Sequence, residues 1–187
     1  MSFTDDDRAA LEALLRLHSV RTGTFELASG KSSNVYCDIK KTGLSGQGAW
    51  LIGRGLWALV RTHVPDAVAV GGLTLGADPL VTGMAIAAHL DDAELAALIV
   101  RKQAKGHGTR NPIEAPASVV EGARVVAVDD VVTTAGSTIQ AIEAMRNAGY
   151  MVEHAVCVVD RQDVAREALA QIGVTLHALY VLEELVD

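Results

Sequence analysis

The stretch ARVVAVDDVVTTAGSTIQAIEAMRNAG, residues 123–149, decides the fold. Val125 to Val128 form a buried strand by their unbroken apolar character, and Asp129 and Asp130 stand where it ends. Thr133, Thr134, Ala135, Gly136, Ser137 and Thr138 make a turn of small residues. A helix follows, with Ile139, Ile142 and Met145 on one side and Gly149 as its stop. In a parallel sheet, ligands bind at the carboxyl ends of strands. A helix N-terminus placed there offers backbone N–H groups and a positive dipole end, which together seat a phosphate. The hydroxyls of Thr133, Thr134, Ser137 and Thr138 add donors without bulk. Two carboxylates beside a phosphate are unfavourable unless the ligand also carries hydroxyls or a developing positive charge. A ribose 5-phosphate has both once its anomeric carbon starts to become an oxocarbenium ion. The plainer alternative is a strand closing on two solvated acids before an ordinary capped helix. It leaves the coincidence of strand, acid pair, hydroxylic turn and helix unexplained.

The rest of the chain repeats this alternation. Strand-like apolar runs lie at 67–70, 95–100, 124–128, 154–159 and 174–181, and helical segments at about 78–90, 136–148 and 163–171. Strands alternating with helices of that length imply βαβ units and a mostly parallel sheet. Long apolar runs suit strands covered on both faces. Ahead of them, Thr4 is a helix N-cap with Asp5, Asp6 and Asp7 in the first turn. Leu11, Leu14, Leu15 and His18 give that helix one face, His18 being a packing residue at its polar end. Trp50 to Val64 reads as a second helix that stops near Pro65. The whole is expected to be one domain over 1–187, with a small N-terminal portion at about 1–41 and a core at about 42–187.

The chain has 187 residues, 16 Lys+Arg against 23 Asp+Glu, and a formal charge of −7. Half of it is apolar, which excludes a disordered tail. The negative charge argues against a general binder of nucleic acid or membrane surfaces, since counterion release needs a cationic face. The acidic start, MSFTDDDRAALEALL, is neither a secretory nor a transit signal. Gly71, Gly72, Gly76, Asp78 and Pro79 break the apolar stretch from Ala67 to Leu90, so it is no membrane span. Cys37 and Cys157 lie too far apart in sequence for a disulfide framework or a CxxC site. A soluble, cytoplasmic protein is expected.

Segment 101–116 departs from the alternation, being too long and polar for an ordinary connection. Arg101, Lys102, Lys105 and Arg110 place four cations between Arg101 and Ile113 with no acid among them, and His107 adds a potential fifth. On a chain of net charge −7 such a loop runs against the trend. Cations on a loop that can move suit a polyanionic ligand enclosed during reaction.

VVAVDDVVTTAGST resembles the phosphoribosyl-diphosphate (PRPP) motif of type I phosphoribosyltransferases. The resemblance implies that the turn holds the 5-phosphate while the acids hold the ribose hydroxyls and stabilise the cationic transition state. The basic loop resembles that of orotate phosphoribosyltransferases. This implies that Arg101, Lys102, Lys105 and His107 reach the diphosphate of PRPP, across a homodimer in which each loop serves the partner's site. FELASGKSSNVYCDIKK, residues 25–41, resembles the same family's N-terminal hood over the base, with Ala28 where several relatives have lysine. Its Gly30-Lys31-Ser32 is no P-loop, because the glycine required five positions earlier is Phe25.

By the same resemblance Arg161, in the Asp160-Arg161 step, and Thr133 contact orotate. An arginine matches its carboxylate bidentately. GGLTLGADP, residues 71–79, is a glycine-rich strand-to-helix turn similar to the family's diphosphate loop, with Leu75 where some members have lysine. The resemblance thus implies an α/β type I phosphoribosyltransferase fold with a mostly parallel sheet. The activity it implies is orotate phosphoribosyl transfer in de novo pyrimidine biosynthesis. The catalytic set is Lys105, Asp129 and Asp130, and PRPP contacts run through Val131, Val132, Thr133, Thr134, Ala135, Gly136 and Ser137. Mg²⁺ is held mainly by substrate oxygens, with no dedicated protein metal site. A purine phosphoribosyltransferase and a PRPP-sensing regulator without turnover are the two rivals. GxGxxA at Gly53–Ala58 lies within a helical segment and is discarded, no two histidines are spaced as zinc ligands, and no GxSxG elbow occurs.

Overall fold

The computed structural model describes residues 2–26, 32–102, 112–162 and 164–186. Helix α1 (Asp5–Leu14) starts at Thr4, whose hydroxyl accepts the Asp7 N–H while the Asp7 carboxylate accepts the Thr4 N–H, a reciprocal capping box. It runs into a π-helical turn (Leu15–Ser19) and then strands β1 (Val20–Glu26) and β2 (Ser32–Cys37). These two pair antiparallel as a separate two-stranded sheet, the hood. Strand β1 starts at Val20, directly after the π-helical turn.

A short α2 (Lys40–Gly43) leads to α3 (Gly46–His63), capped by Ser45. This helix begins four residues before the expected Trp50. Gly48, in its first turn, is there for closeness: a Cβ on it would stand 2.1 Å from the Thr42 carbonyl oxygen. Then come β3 (Ala69–Leu73), α4 (Asp78–Leu90), β4 (Ala96–Val100), β5 (Ile113–Glu114), β6 (Val125–Val132), α5 (Gly136–Asn147), β7 (His154–Asp160), α6 (Ala165–Gln171) and β8 (Thr175–Val181).

The six-stranded sheet has the order β5-β4-β3-β6-β7-β8 and is parallel except for β5. The expected doubly covered, mostly parallel sheet is therefore present. One buried layer joins α1, α3 and α4 to one face through Leu11, Leu56, Val60 and Met84. The other joins α5 and α6 to the opposite face through Ile142, Met145 and Leu169. The GxGxxA glycines lie in α3, as the sequence suggested, and Gly53 lets α3 pack against Gly83 of α4. Among the described residues no helix is long and apolar enough to cross a membrane.

Two boundaries differ from expectation near the site. Gly71 and Gly72 belong to β3 and are buried, so the connecting turn is shorter than 71–79. Gly72 is dictated by packing, since a Cβ there would meet the Val128 carbonyl oxygen of the neighbouring strand at 2.1 Å. Strand β6 continues past the acids to Val132, because Asp129 still pairs with Cys157, and Val131 with Val159, on β7. Interstrand hydrogen bonding carries the strand through two charges that read in sequence as its end.

Candidate active site

Because β6 continues through both acids, side-chain alternation sends Asp129 and Asp130 to opposite faces. Asp129 lies under the start of α5, 7% exposed. One of its oxygens accepts the Ser137 and Thr138 hydroxyls at 2.8 and 2.7 Å, and the other accepts the Asp130 N–H at 2.9 Å. Burial pushes this carboxyl up to about 6, with neighbouring Asp130 adding to the rise and the two hydroxyls holding it down. Asp130 faces the hood and the turn after β3. Its Oδ1 accepts the Val131 N–H at 2.9 Å, and its Oδ2 stands 3.7 Å from Lys40 Nζ. A Cβ on Gly76 would lie 3.0 Å from Asp130 Oδ1, close enough that the carboxylate would have to shift by a few tenths of an ångström.

The turn from β6 into α5 holds Ala135 in the left-handed region, φ +62°, which costs an L residue roughly 1–2 kcal/mol. The helix ladder begins with the Ile139 N–H on the Ala135 carbonyl. The N–H groups of Gly136, Ser137 and Thr138 thus precede it and form the helix's donor end. Thr134, Gly136 and Ser137 are exposed there and Thr133 is half-buried. The hydroxyls of Ser137 and Thr138 are the departure from expectation: they donate inward to Asp129, which leaves the backbone N–H groups, with Thr133 and Thr134, as the turn's outward donors. Val131 and Val132 are strand residues, Val132 being in the core.

A cavity of about 300 Å³ is lined by Lys40, Leu73, Thr74, Leu75, Gly76, Lys102, Asp129, Asp130 and Ser137. Two larger open hollows, of about 630 and 600 Å³, lie elsewhere and contain no acid pair. The peptide between Thr74 and Leu75 is cis. Lys102 lines this cavity with the acid pair and the β3–α4 turn of its own chain. Arg101 is instead paired with Glu114 across the mouth of the long loop, Nε and Nη2 lying 3.0 and 2.9 Å from Oε1. Lys105 and His107 lie outside the described residues, as do Arg110, Ala28 and Lys31.

Arg161 follows β7, its N–H donating to the Val132 carbonyl at 3.0 Å, and its charge acts on Cys37 at the end of the hood strand. Burial first, and then Asp130, push the Cys37 thiol up to about 12, which removes it as a nucleophile at neutral pH. Asp160 is fully buried, accepting the Gln162 N–H at 2.8 Å and Arg166 Nε at 2.6 Å, and so fixes the turn that carries Arg161. Cys37, the last residue of β2, thus lies within electrostatic reach of both Asp130 and Arg161. Lys40, which lines the cavity, and Asp38, which holds it at 2.8 Å, are residues to which the sequence reading gave no role. Their only signal was their place in DIKK directly after the hood strand.

Among the described residues no group of three or more His, Cys, Asp or Glu side chains could hold a metal ion. The donor set suits a cation carried in by substrate oxygens and touched by one or two carboxylates, which is how Mg²⁺ is commonly bound.

Residues 67–172, more than half of the chain, match the phosphoribosyl transferase domain family. The orotate phosphoribosyltransferase of Thermosynechococcus vestitus is 43% identical over 180 residues, covering 96% of this chain and 93% of that protein. A crystal structure of the Mycobacterium tuberculosis orotate phosphoribosyltransferase is similar at TM-score 0.81 and 37% identity, covering 97% of this chain and 99% of that one. A second structure of the mycobacterial enzyme, in complex with PRPP, aligns at TM-score 0.75 and 31% identity over 97% of this chain and 93% of that one. With its sheet order, its acid pair and its near-full-length similarity to these enzymes, the chain belongs to the orotate phosphoribosyltransferases of the phosphoribosyl transferase domain family.

Proposed function

We propose that this site transfers the ribose 5-phosphate of PRPP to orotate, giving orotidine 5′-phosphate and diphosphate in pyrimidine biosynthesis. The observation that carries the reading is the pair of acids on adjacent positions of β6. One faces the N-terminus of α5 and the other faces the hood. The 5-phosphate sits on the N–H groups that open α5, next to Thr133 and Thr134. Asp129 and Asp130 then flank the ribose and stabilise positive charge as the bond from carbon 1 to the diphosphate loosens. The ring nitrogen of orotate bonds to carbon 1 as its proton passes to an oxygen of the departing diphosphate, which leaves with the bonding pair. Arg161 and Thr133 orient orotate beneath the hood, with no general base assigned.

Mg²⁺ fits this donor set, with Asp130 as the protein contact, and when bound it neutralises charge on the diphosphate. Arg101, Lys102, Lys105 and His107 enclose the same group. The Arg101–Glu114 pair is about two-fifths exposed and of the kind worth only ~0–1 kcal/mol, so Arg101 is readily released toward substrate. Closure excludes water that would otherwise capture the activated sugar. The reading includes one domain, a homodimer whose loops serve each other's sites, and a cytoplasmic setting.

An ultraviolet assay with PRPP, Mg²⁺ and orotate, uracil, adenine or hypoxanthine tests the proposal. Orotate alone is expected to be consumed. Consumption of a purine, or of no base, rejects it in favour of a purine enzyme or a PRPP-binding regulator.

A further inference from the structure

We infer that Lys40 is a substrate-contacting residue, the cation that receives the diphosphate of PRPP on the side of the β3–α4 turn. The inference rests on the reading that PRPP is the substrate. The turn facing the leaving group presents Thr74, Leu75 and Gly76, and Leu75 is 74% exposed with no charge to offer. Asp129 and Asp130 line the same cavity, and Asp38 stands directly behind Lys40. A diphosphate ester with up to three negative charges, entering past three carboxylates, needs cations on the cavity wall. Among the described residues lining the cavity, these are Lys40 and Lys102.

Lys102 stands at the root of the long loop, whereas Lys40 opens α2 and is anchored. Its Nζ is 2.8 Å from Asp38 Oδ1 and 3.7 Å from Asp130 Oδ2, with the side chain 43% exposed toward the cavity. At 3.7 Å the Asp130 contact is an ion pair without a well-formed hydrogen bond, so Nζ keeps a donor for an incoming oxygen. When Asp130 turns to the ribose and the metal, Lys40 remains held by Asp38 and pivots onto the diphosphate. The segment that follows the hood thereby supplies charge to the leaving group.

Lys40→Met, which keeps the length of the stem, tests this. KM for PRPP and the Kd for Mg²⁺-diphosphate, measured by calorimetry, are expected to rise roughly 10–100-fold, the scale of one lost charge-assisted hydrogen bond. KM for orotate should move less than about threefold, the signature of a contact to one substrate only. Lys40→Arg should retain most of the affinity. Leu75→Lys added to Lys40→Met should restore a large part of it by replacing the charge from the facing turn.

An unchanged Kd for diphosphate in folded Lys40→Met overturns the inference. So does an equal loss for both substrates that Leu75→Lys leaves unrepaired, because that is what a brace for the hood would give. The calorimetric arm contains no base. A wild-type protein that binds diphosphate through Lys40 yet ignores orotate would overturn the choice of base and leave this assignment standing.

Discussion

Thr138→Val isolates the device that keeps Asp129 ionised. Thr138 is 1% exposed and its hydroxyl donates to Asp129 Oδ2 at 2.7 Å. Valine keeps the shape and removes the donor. A hydrogen bond to a charged group is worth about 1.5–3 kcal/mol, and one pKa unit about 1.4 kcal/mol, so the Asp129 carboxyl should rise by roughly 1–2 units. Its starting point is about 6, already lifted by burial. The ionised form is the one that stabilises a cationic ribose, so raising the pKa moves the acid limb of activity upward. The assay is kcat/KM for PRPP across about pH 5.5 to 9, where the limb reports the free enzyme. Near neutrality the variant should be slower by about tenfold or less, and it should recover toward wild type in alkali.

Stability carries the same sign. The folded pKa lies above the unfolded value, so stability is fully present below pH 3.8 and declines as pH rises toward about 6. Thr138→Val extends that decline to higher pH and leaves acid stability alone. An acid limb that stays in place, or a loss equal at every pH, would refute the role given to the hydroxyl.

Three further outcomes are expected. Gly72→Ala puts a methyl 2.1 Å from the Val128 carbonyl oxygen and should cost about 1–3 kcal/mol or more, seen as a melting temperature several degrees lower; an unchanged melt would mean that β3 and β6 can separate freely. His177 is held down to about 4 by burial first, then by His63 stacked on it at 4.0 Å, by His154, and by Arg166. Its depressed pKa means that the unfolded chain takes the proton first, so stability present above about pH 6.5 is lost as pH falls toward about 4. His177→Phe should flatten that part of the melting profile, and a profile of the same slope would contradict it. Lys105→Ala should lower turnover by roughly 10²–10³-fold, the scale for losing one preorganised charge stabiliser, and a loss under about threefold in steady state would sink the assignment.

How much of this was legible in sequence depends on what each element answers to. The α4 and α5 segments came within a residue, because a proline at the start of one, a glycine after the other and the apolar period speak locally. The start of α3 did not, since Gly48 serves a close approach to Thr42 that no local pattern announces. The extension of β6 through Asp129 and Asp130 was hidden for a related reason: its cause is β7, not the residues themselves. That extension decides the site, because it separates two adjacent acids onto two faces. Their neighbours follow from it. Ser137 and Thr138 read as phosphate donors, but their protons go to Asp129. Lys40 read as part of a motif, but the fold carries it to the acid on the other face. Residue types and order were readable; orientation required the sheet.

The central claim is that the two acids of β6 drive ribosyl transfer to orotate. The most direct test follows orotate loss, orotidine 5′-phosphate gain and diphosphate release together, in the wild type and in Asp129→Asn with Asp130→Asn. The account predicts equal amounts of all three in the wild type and a collapse of all three, with folding and phosphate binding retained, in the double variant. Release of diphosphate without orotidine 5′-phosphate, or transfer at the wild-type rate by the double variant, would contradict it.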